Sequence, residues 1–455
     1  MQLTKLTALS PLDGRYADKI EELRPIFSEY GLMRTRLFVE IHWLKALAME
    51  PTIQEITKFS SATEQFLDAI WQNFSEQDAL QVKEIEKTTR HDLKAVEYFL
   101  KEKCSNLPEL ANTKEFIHFA CTSDDTNNLV YGLMLKAARE DCLLPQITNS
   151  IEILRKLAHE YAAQPMLART HGQPASPTTI GKEFANFVAR LQQIAQKVSQ
   201  TAIIGKCNGA VGNFSAHMIA YPEVNWRELT HQFVTSLGLQ YTEYSTQIEP
   251  HDNIAELCNN LAQFNTVLID LARDIWGYVS LGYLQQKANN LEVGSSVMPH
   301  KINPIDFENA EGNLGIANAL LRHFSEKLPI SRWQRDLSDS TVLRNLGAAF
   351  GYSLLAYKML LQGLEKITVA NEFLDKELMQ HWEVLAEAIQ TVMRRYGIEK
   401  PYEQLKALTR GKNVTKDLLH TFIKDSQLPD EVKEKLLQLS PVDYLGLAKE
   451  LAEKI

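Results

Sequence analysis

The segment Gly294-Ser295-Ser296-Val297-Met298-Pro299-His300-Lys301-Ile302-Asn303-Pro304 is followed closely by Glu308 and Asn309. Two adjacent hydroxyls, a lysine, an asparagine and a carboxylate thus fall within one short stretch. Gly294 permits unusual backbone angles, while Pro299 and Pro304 disfavour a continuous helix, so a loop should lead here into a helix. Lys301 and the N–H groups of a Gly-Ser-Ser turn would attract an anion and lower the pKa of a serine hydroxyl. The segment therefore reads as an anion-binding loop whose hydroxyls donate or lose a proton. A solvated turn between helices is the plain alternative.

Three further polar segments carry chemistry-bearing side chains. Thr89-Arg90-His91-Asp92 reads as a capping box at a helix start, where exposed N–H groups favour anions. Thr122-Ser123-Asp124-Asp125 reads as a second helix start, with Thr122 able to cap and Asp125 three residues on. His171 sits in the Gly/Pro-rich stretch Arg169-Thr170-His171-Gly172-Gln173-Pro174-Ala175, and imidazole as a group titrates near neutral pH. Arg332, Arg335, Ser338, Ser340 and Arg344 crowd another stretch, and arginines beside a hydroxyl-rich helix start suit a phosphate. Alone, that run is equally a solvated charged face. Gly205, Gly209 and Gly212, with Asn208 and Asn213, make no GxGxxG turn between strand and helix, so no dinucleotide site is expected. His42, His118, His159, His231, His323 and His381 are read in helical contexts without metal-ligand spacing, and no metal is expected.

These loops need rigid supports, and helices are the supports the chain offers. Gly 20 and Pro 16 are few for 455 residues, so little breaks the helices. Ile254, Leu257, Leu261, Phe264, Leu268, Leu271, Ile275 and Val279 follow a three-or-four step through 254–281. Ile147, Ile151, Leu154, Ala158 and Tyr161 repeat it in 143–164, and Phe184, Phe187, Leu191, Ile194 and Val198 in 182–203. Further long helices are predicted through 306–327 and 341–367. Five long helices suggest an elongated bundle, and the consecutive Val267, Leu268 and Ile269 suggest burial on several sides, against other subunits included. Shorter helices are predicted in 1–110 and after about 365. Ser440-Pro441-Val442-Asp443 resembles a capping-box start. The division is an N-terminal helical domain 1–111, a central long-helix domain 112–364 and a C-terminal helical domain 365–455, all α.

Lys+Arg 48 against Asp+Glu 57 gives a net charge of −9, which argues against broad binding to nucleic acid or anionic lipid. Cys104, Cys121, Cys142, Cys207 and Cys258 are odd in number and scattered, which fits reduced thiols in a cytoplasmic protein. The first residues lack the apolar stretch of a signal peptide, and no run of about 20 apolar residues predicts a membrane span.

Ser295-Ser296-x-Met298-Pro299-x-Lys301-x-Asn303 resembles the signature of the fumarase/aspartase superfamily. Ser10-Pro11-Leu12-Asp13-Gly14-Arg15-Tyr16, Thr88-Thr89-Arg90-His91-Asp92, Cys121-Thr122-Ser123-Asp124-Asp125-Thr126-Asn127-Asn128 and the segment around His171 resemble motifs of its adenylosuccinate lyase family, closest to the bacterial form. The resemblance runs over essentially the whole chain. It implies a C–N lyase of purine nucleotide biosynthesis that needs no cofactor. Such an enzyme releases fumarate from adenylosuccinate, leaving AMP, and from succinylamino-carboxamide ribotide (SAICAR), leaving AICAR. The implied path is an anti elimination through a carbanion.

In that scheme Ser295 is the base, His171 the general acid, and Glu308 orients His171 or holds its charge. Arg90, His91 and Asp92 contact substrate, with His91 near the chemistry. Thr122 and Ser123 donate to a carboxylate of the fumarate moiety, and Ser296, Lys301, Ile302 and Asn303 complete that site. Arg335, Ser340 and Arg344, with Thr341, Val342 and Leu343 between them, take the phosphate together with Arg15 and Tyr16. Gln247 and Asn309 are further contacts. The resemblance also implies a homotetramer whose central domains form one helical core and whose active sites combine loops from three subunits. An argininosuccinate lyase would share the serine loop without needing a phosphate site. A noncatalytic scaffold of the superfamily would keep the fold alone, and the intact Ser295, His171, Lys301 and Glu308 speak against it.

Overall fold

The computed structural model describes residues 1–105, 107–287, 297–298, 300–411 and 414–455. Helices make up most of the chain, and the all-α reading holds. Strands among the described residues are two or three residues long and pair into four two-stranded ladders. The five long helices run over Leu144–Glu160, Ile180–Gln200, Asp252–Ser280, Ile305–Lys327 and Leu346–Lys366. Their periodic stripes face inward. In the Asp252–Ser280 helix all of Ile254, Leu257, Leu261, Phe264, Leu268, Leu271 and Ile275 are buried, and only Val279 at its end is not. No helix among the described residues is long and apolar enough to cross a membrane. All five cysteines are free thiols.

The chain divides into two compact units. One comprises Met1–Ile147, Ile194–Thr266 and Gly312–Lys358, the other Thr148–Gln193, Val267–Glu311 and Met359–Ile455, so each long helix contributes residues to both. The first unit contains a helix the periodicity did not predict as long, Glu29–Ala48, with 20 residues. It buries Leu32, Met33, Leu37, Val39, Ile41, Trp43, Leu44 and Leu47, together with Arg36 and Glu40. Its buried face carries Arg36 and Glu40 while Phe38 sits on its half-buried face, so polar and apolar residues do not separate with the 3.6-residue period. A six-residue π segment, Ala138–Leu143, joins Ser123–Ala137 to Leu144–Glu160 in one uninterrupted helical run, where the periodicity had suggested a separate helix starting near 143. In the second unit Leu378, Trp382, Leu385, Ile389, Met393, Leu405, Leu419, Ile423 and Leu436 form a core under short helices, none longer than ten residues. Ser440–Asp443 proves to be a single 3-10 turn, Pro441–Asp443, rather than the start of a longer helix.

Candidate active site

In the first unit, the Glu76–Thr89 helix ends at Arg90, whose φ of 51° turns the chain before the Asp92–Cys104 helix begins. The cap of that second helix is His91 rather than Thr89. His91 Nδ1 accepts the Lys94 N–H at 3.0 Å, while Thr89 lies at the end of the preceding helix. The difference is one of register, because the reversal at Arg90 uses the residues a capping box would need. An Nδ1 that accepts leaves the proton of the neutral ring on Nε2. That nitrogen faces Ser123 Oγ at 3.5 Å, which brings two of the candidate segments together.

Asp92 binds both Arg36 (Nη2, 2.7 Å) and Arg344 (Nη2, 2.6 Å). Burial pushes the Asp92 carboxyl up, but Arg36, the Leu93 N–H and Arg344 outweigh it and hold the group at about 2. Arg344 also pairs with Glu29 Oε2 at 2.9 Å, so this candidate phosphate ligand is already oriented by two carboxylates. Arg36, almost fully buried, carried no signal in the sequence, since it is one of several charged residues in the Glu29–Ala48 helix and belongs to no motif.

Asp92→Asn should therefore leave a buried guanidinium short of its counter-charge and lower the unfolding free energy at pH 7 by about 3 kcal/mol. A carboxyl held low contributes stability present above the ordinary value of 3.8 and lost as pH falls through about 2. The advantage of the wild type over the variant should accordingly shrink below pH 4. Equal denaturant midpoints at pH 7 would refute this.

Thr122 begins the Ser123–Ala137 helix, and its N–H donates to Asp125 Oδ2 at 2.8 Å, the carboxylate half of the expected capping box. Asp125 does more than cap. Its side chain and that of Lys206 are fully buried and 2.8 Å apart. Asp125 also accepts the N–H groups of Asn208 and Gly209. The Gly-rich loop is thereby tied to the Thr122–Ser123 turn, a structural role that fits a buried carboxylate with several donors. Nearby, Gln247 Oε1 accepts from Arg335 Nη1 at 3.1 Å, and Gln247 Nε2 donates to the Ala210 carbonyl at 3.0 Å.

Ser340 and Thr341 fall in the short Ser338–Leu343 helix, with Arg344 at its end. Leu343 is buried, Val342 half-buried and Thr341 exposed. Arg15 is exposed and lies over the Tyr16 ring at 5.8 Å, on a turn anchored by buried Leu12 and Ala17. His118 departs from its helical assignment. It sits at φ 60° in the turn before Thr122, with Nδ1 2.8 Å from Glu40 Oε1. His381, likewise read in a helix, precedes one instead.

In the second unit His171 and Gly172 are the two central residues of a hairpin whose arms pair Arg169 with Pro174 and Thr170 with Gln173. Both have positive φ, 53° and 74°, as a type I′ turn requires. A loop was expected here, and the ladder is too short to leave an alternation pattern. The turn fixes an exposed imidazole at its tip, where it has no hydrogen-bond partner among the described residues. Ser295 and Ser296 lie outside the described residues, as do Gly294 and Pro299.

Lys301 is exposed, and its N–H donates to the Met298 carbonyl at 3.1 Å. Ile302 is also exposed and Asn303 half-buried. After Pro304 the Ile305–Lys327 helix starts with Asp306 and Phe307 buried. Asp306 accepts from Lys366 at 2.9 Å, and Gly363 makes room for the Phe307 ring, which a Cβ there would meet at 2.8 Å. With its neighbours so anchored, Glu308 remains exposed and accepts from Trp276 Nε1 at 3.1 Å. Asn309 follows, half-buried. Glu308 and His171 are not paired within the chain.

The family model described as Lyase matches residues 14–318, and the one described as Adenylosuccinate lyase C-terminal matches 331–445. The adenylosuccinate lyase of Haemophilus influenzae is 56% identical over 455 residues, covering 100% of both chains. That of Escherichia coli is 55% identical with the same coverage. Among solved structures, a fumarate lyase from Mesorhizobium sp. has a TM-score of 0.76 at 17% identity, over 95% of this chain and 97% of the other. The 3-carboxy-cis,cis-muconate lactonizing enzyme of Pseudomonas putida reaches 0.73 at 19%, over 95% and 96%. These two likenesses concern the fold.

Proposed function

The chain belongs to the adenylosuccinate lyase family of the fumarase/aspartase superfamily and is a C–N lyase, and on that premise we propose how its residues divide the reaction. It releases fumarate from adenylosuccinate, leaving AMP, and from SAICAR, leaving AICAR. The observation that carries this reading is the 56% identity spanning both chains completely.

Ser295, as its alkoxide, takes the proton from the carbon β to the departing nitrogen. Lys301 favours that anion, and with Thr122 and Ser123 it holds the charge as it moves onto the neighbouring carboxylate. The C–N bond then breaks, its electron pair leaves with the nitrogen, and His171 supplies the proton there. Glu308 holds the His171 charge once subunits combine. Arg335, Ser340, Arg344, Arg15 and Tyr16 take the phosphate, and the ion pairs that orient Arg344 support that role.

The assembly is a homotetramer with active sites shared between subunits. Exposed Ile305 and Ile316 on the Ile305–Lys327 helix, with open space beside Gly312 and Gly315, support a face for another copy. The three-domain division at 111 and 364 and a cytoplasmic setting, where free thiols persist, belong to the same proposal.

The test is the absorbance change of adenylosuccinate with purified protein, with AMP and fumarate identified chromatographically. Turnover is the expected result. Inertness towards both substrates together with activity on argininosuccinate would replace the reading with that of a sister lyase.

A further inference from the structure

His251 takes no part in the scheme above, yet two of the proposed binding segments meet at it. It is 1% exposed, immediately precedes the Asp252–Ser280 helix, and has a left-handed backbone with φ 65°. Burial and the place ahead of the helix disfavour a charged histidine, and the backbone conformation disfavours most side chains. Positions ahead of a helix favour side chains that accept its N–H groups, left-handed backbone favours glycine or asparagine, and the helix dipole opposes a cation at this end. A compensating attraction is required.

The surrounding carboxylates supply it. His251 Nδ1 lies 3.3 Å from Glu249 Oε2, and Nε2 lies 3.8 Å from Asp339 Oδ2. The His251 N–H donates to the same Glu249 oxygen at 2.8 Å. Burial pushes the imidazole down, but Asp339, Glu249 and Asp124 outweigh it and raise it to about 9, so the ring is a cation at neutral pH. Lys206 and Arg335 act in turn on Asp124. The two ends of this cluster reach the site. The Glu249 N–H donates to Asp124 Oδ2 at 3.2 Å, directly after Ser123, and Asp339 Oδ1 accepts the Ser340 N–H at 2.7 Å.

We propose that His251 is a positioning residue for substrate. It ties Asp339, beside Ser340, to Glu249 and Asp124, beside Ser123, and thereby sets the spacing between the phosphate-binding and carboxylate-binding groups. This deepens the reading given under Proposed function and rests on it.

His251→Asn is the discriminating variant, because asparagine suits both the left-handed backbone and the helix cap. Removing the imidazolium leaves Glu249 and Asp339 short of a counter-charge, so the melting temperature should fall, and the kinetics are read well below it. The KM for adenylosuccinate and the inhibition constant of AMP should each rise about tenfold or more, with kcat changed by less than about threefold. A purely structural role would not produce that split. KM and AMP inhibition within about twofold of wild type would overturn the proposal, as would a fall in kcat as large as that in kcat/KM. Arg335→Gln, measured alongside, separates the two levels. If it leaves AMP inhibition unmoved, the phosphate reading itself has failed. If it weakens AMP while His251→Asn does not, only the role of His251 is lost.

Discussion

Ser295→Ala should turn over adenylosuccinate about 10⁴-fold more slowly than the wild type while binding it with little change. The substitution removes one oxygen and adds no bulk, so the fold should be retained. The missing group is needed only when the Cβ proton moves, and an interaction made only in the transition state appears in kcat rather than in substrate binding. The measurement is kcat by absorbance, adenylosuccinate affinity by calorimetry and oligomeric mass by sedimentation, all on one preparation. Near-normal turnover would remove Ser295 as the base. Loss of both binding and assembly would make the serine structural instead. Lys301 is the group to examine next if turnover survives, because it is the exposed cation nearest in sequence to the proposed anion.

His171 carries the second large effect. Deleting its imidazole should reduce kcat about 10³-fold, since protonating the departing nitrogen would then fall to water. The hairpin geometry dictates how to make the deletion. At φ 53°, alanine adds backbone strain of about 1 kcal/mol, whereas asparagine tolerates the left-handed turn and carries no ionisable ring. Both variants should therefore lose the rate, and His171→Asn should do so without loss of thermal stability. Added imidazole should restore part of the rate to His171→Ala. Wild-type rates in either variant would sink the acid assignment.

Much of the architecture was legible because it is written in local order. The stripes from Ile254 to Ile275 and from Phe184 to Val198 follow the helical period, and those side chains are buried. Thr122 and Asp125, three residues apart, do meet as a helix start. Legibility failed where the local signal was absent or ambiguous. The Glu29–Ala48 helix places Arg36 and Glu40 on its buried face and Phe38 on its half-buried one, and its 20-residue length therefore had no periodic signature. Thr89 and His91 are both plausible caps, and only the reversal at Arg90 decided between them. The two-residue ladder that turns His171 outward is shorter than any alternation pattern.

Helical periodicity, a property of neighbours along the chain, determined by itself that this protein is mostly helical, and the resemblance of its motifs pointed to its lyase family. Tertiary structure alone decided which charges stand together. Asp92 is clasped by Arg36, 56 residues away, and by Arg344, 252 residues away. Asp125 meets Lys206 across 81, and the imidazolium of His251 lies among Glu249, Asp339 and Asp124. Ion pairing depends on distance and burial, not on order in the chain, so these partnerships exist only once the helices have packed.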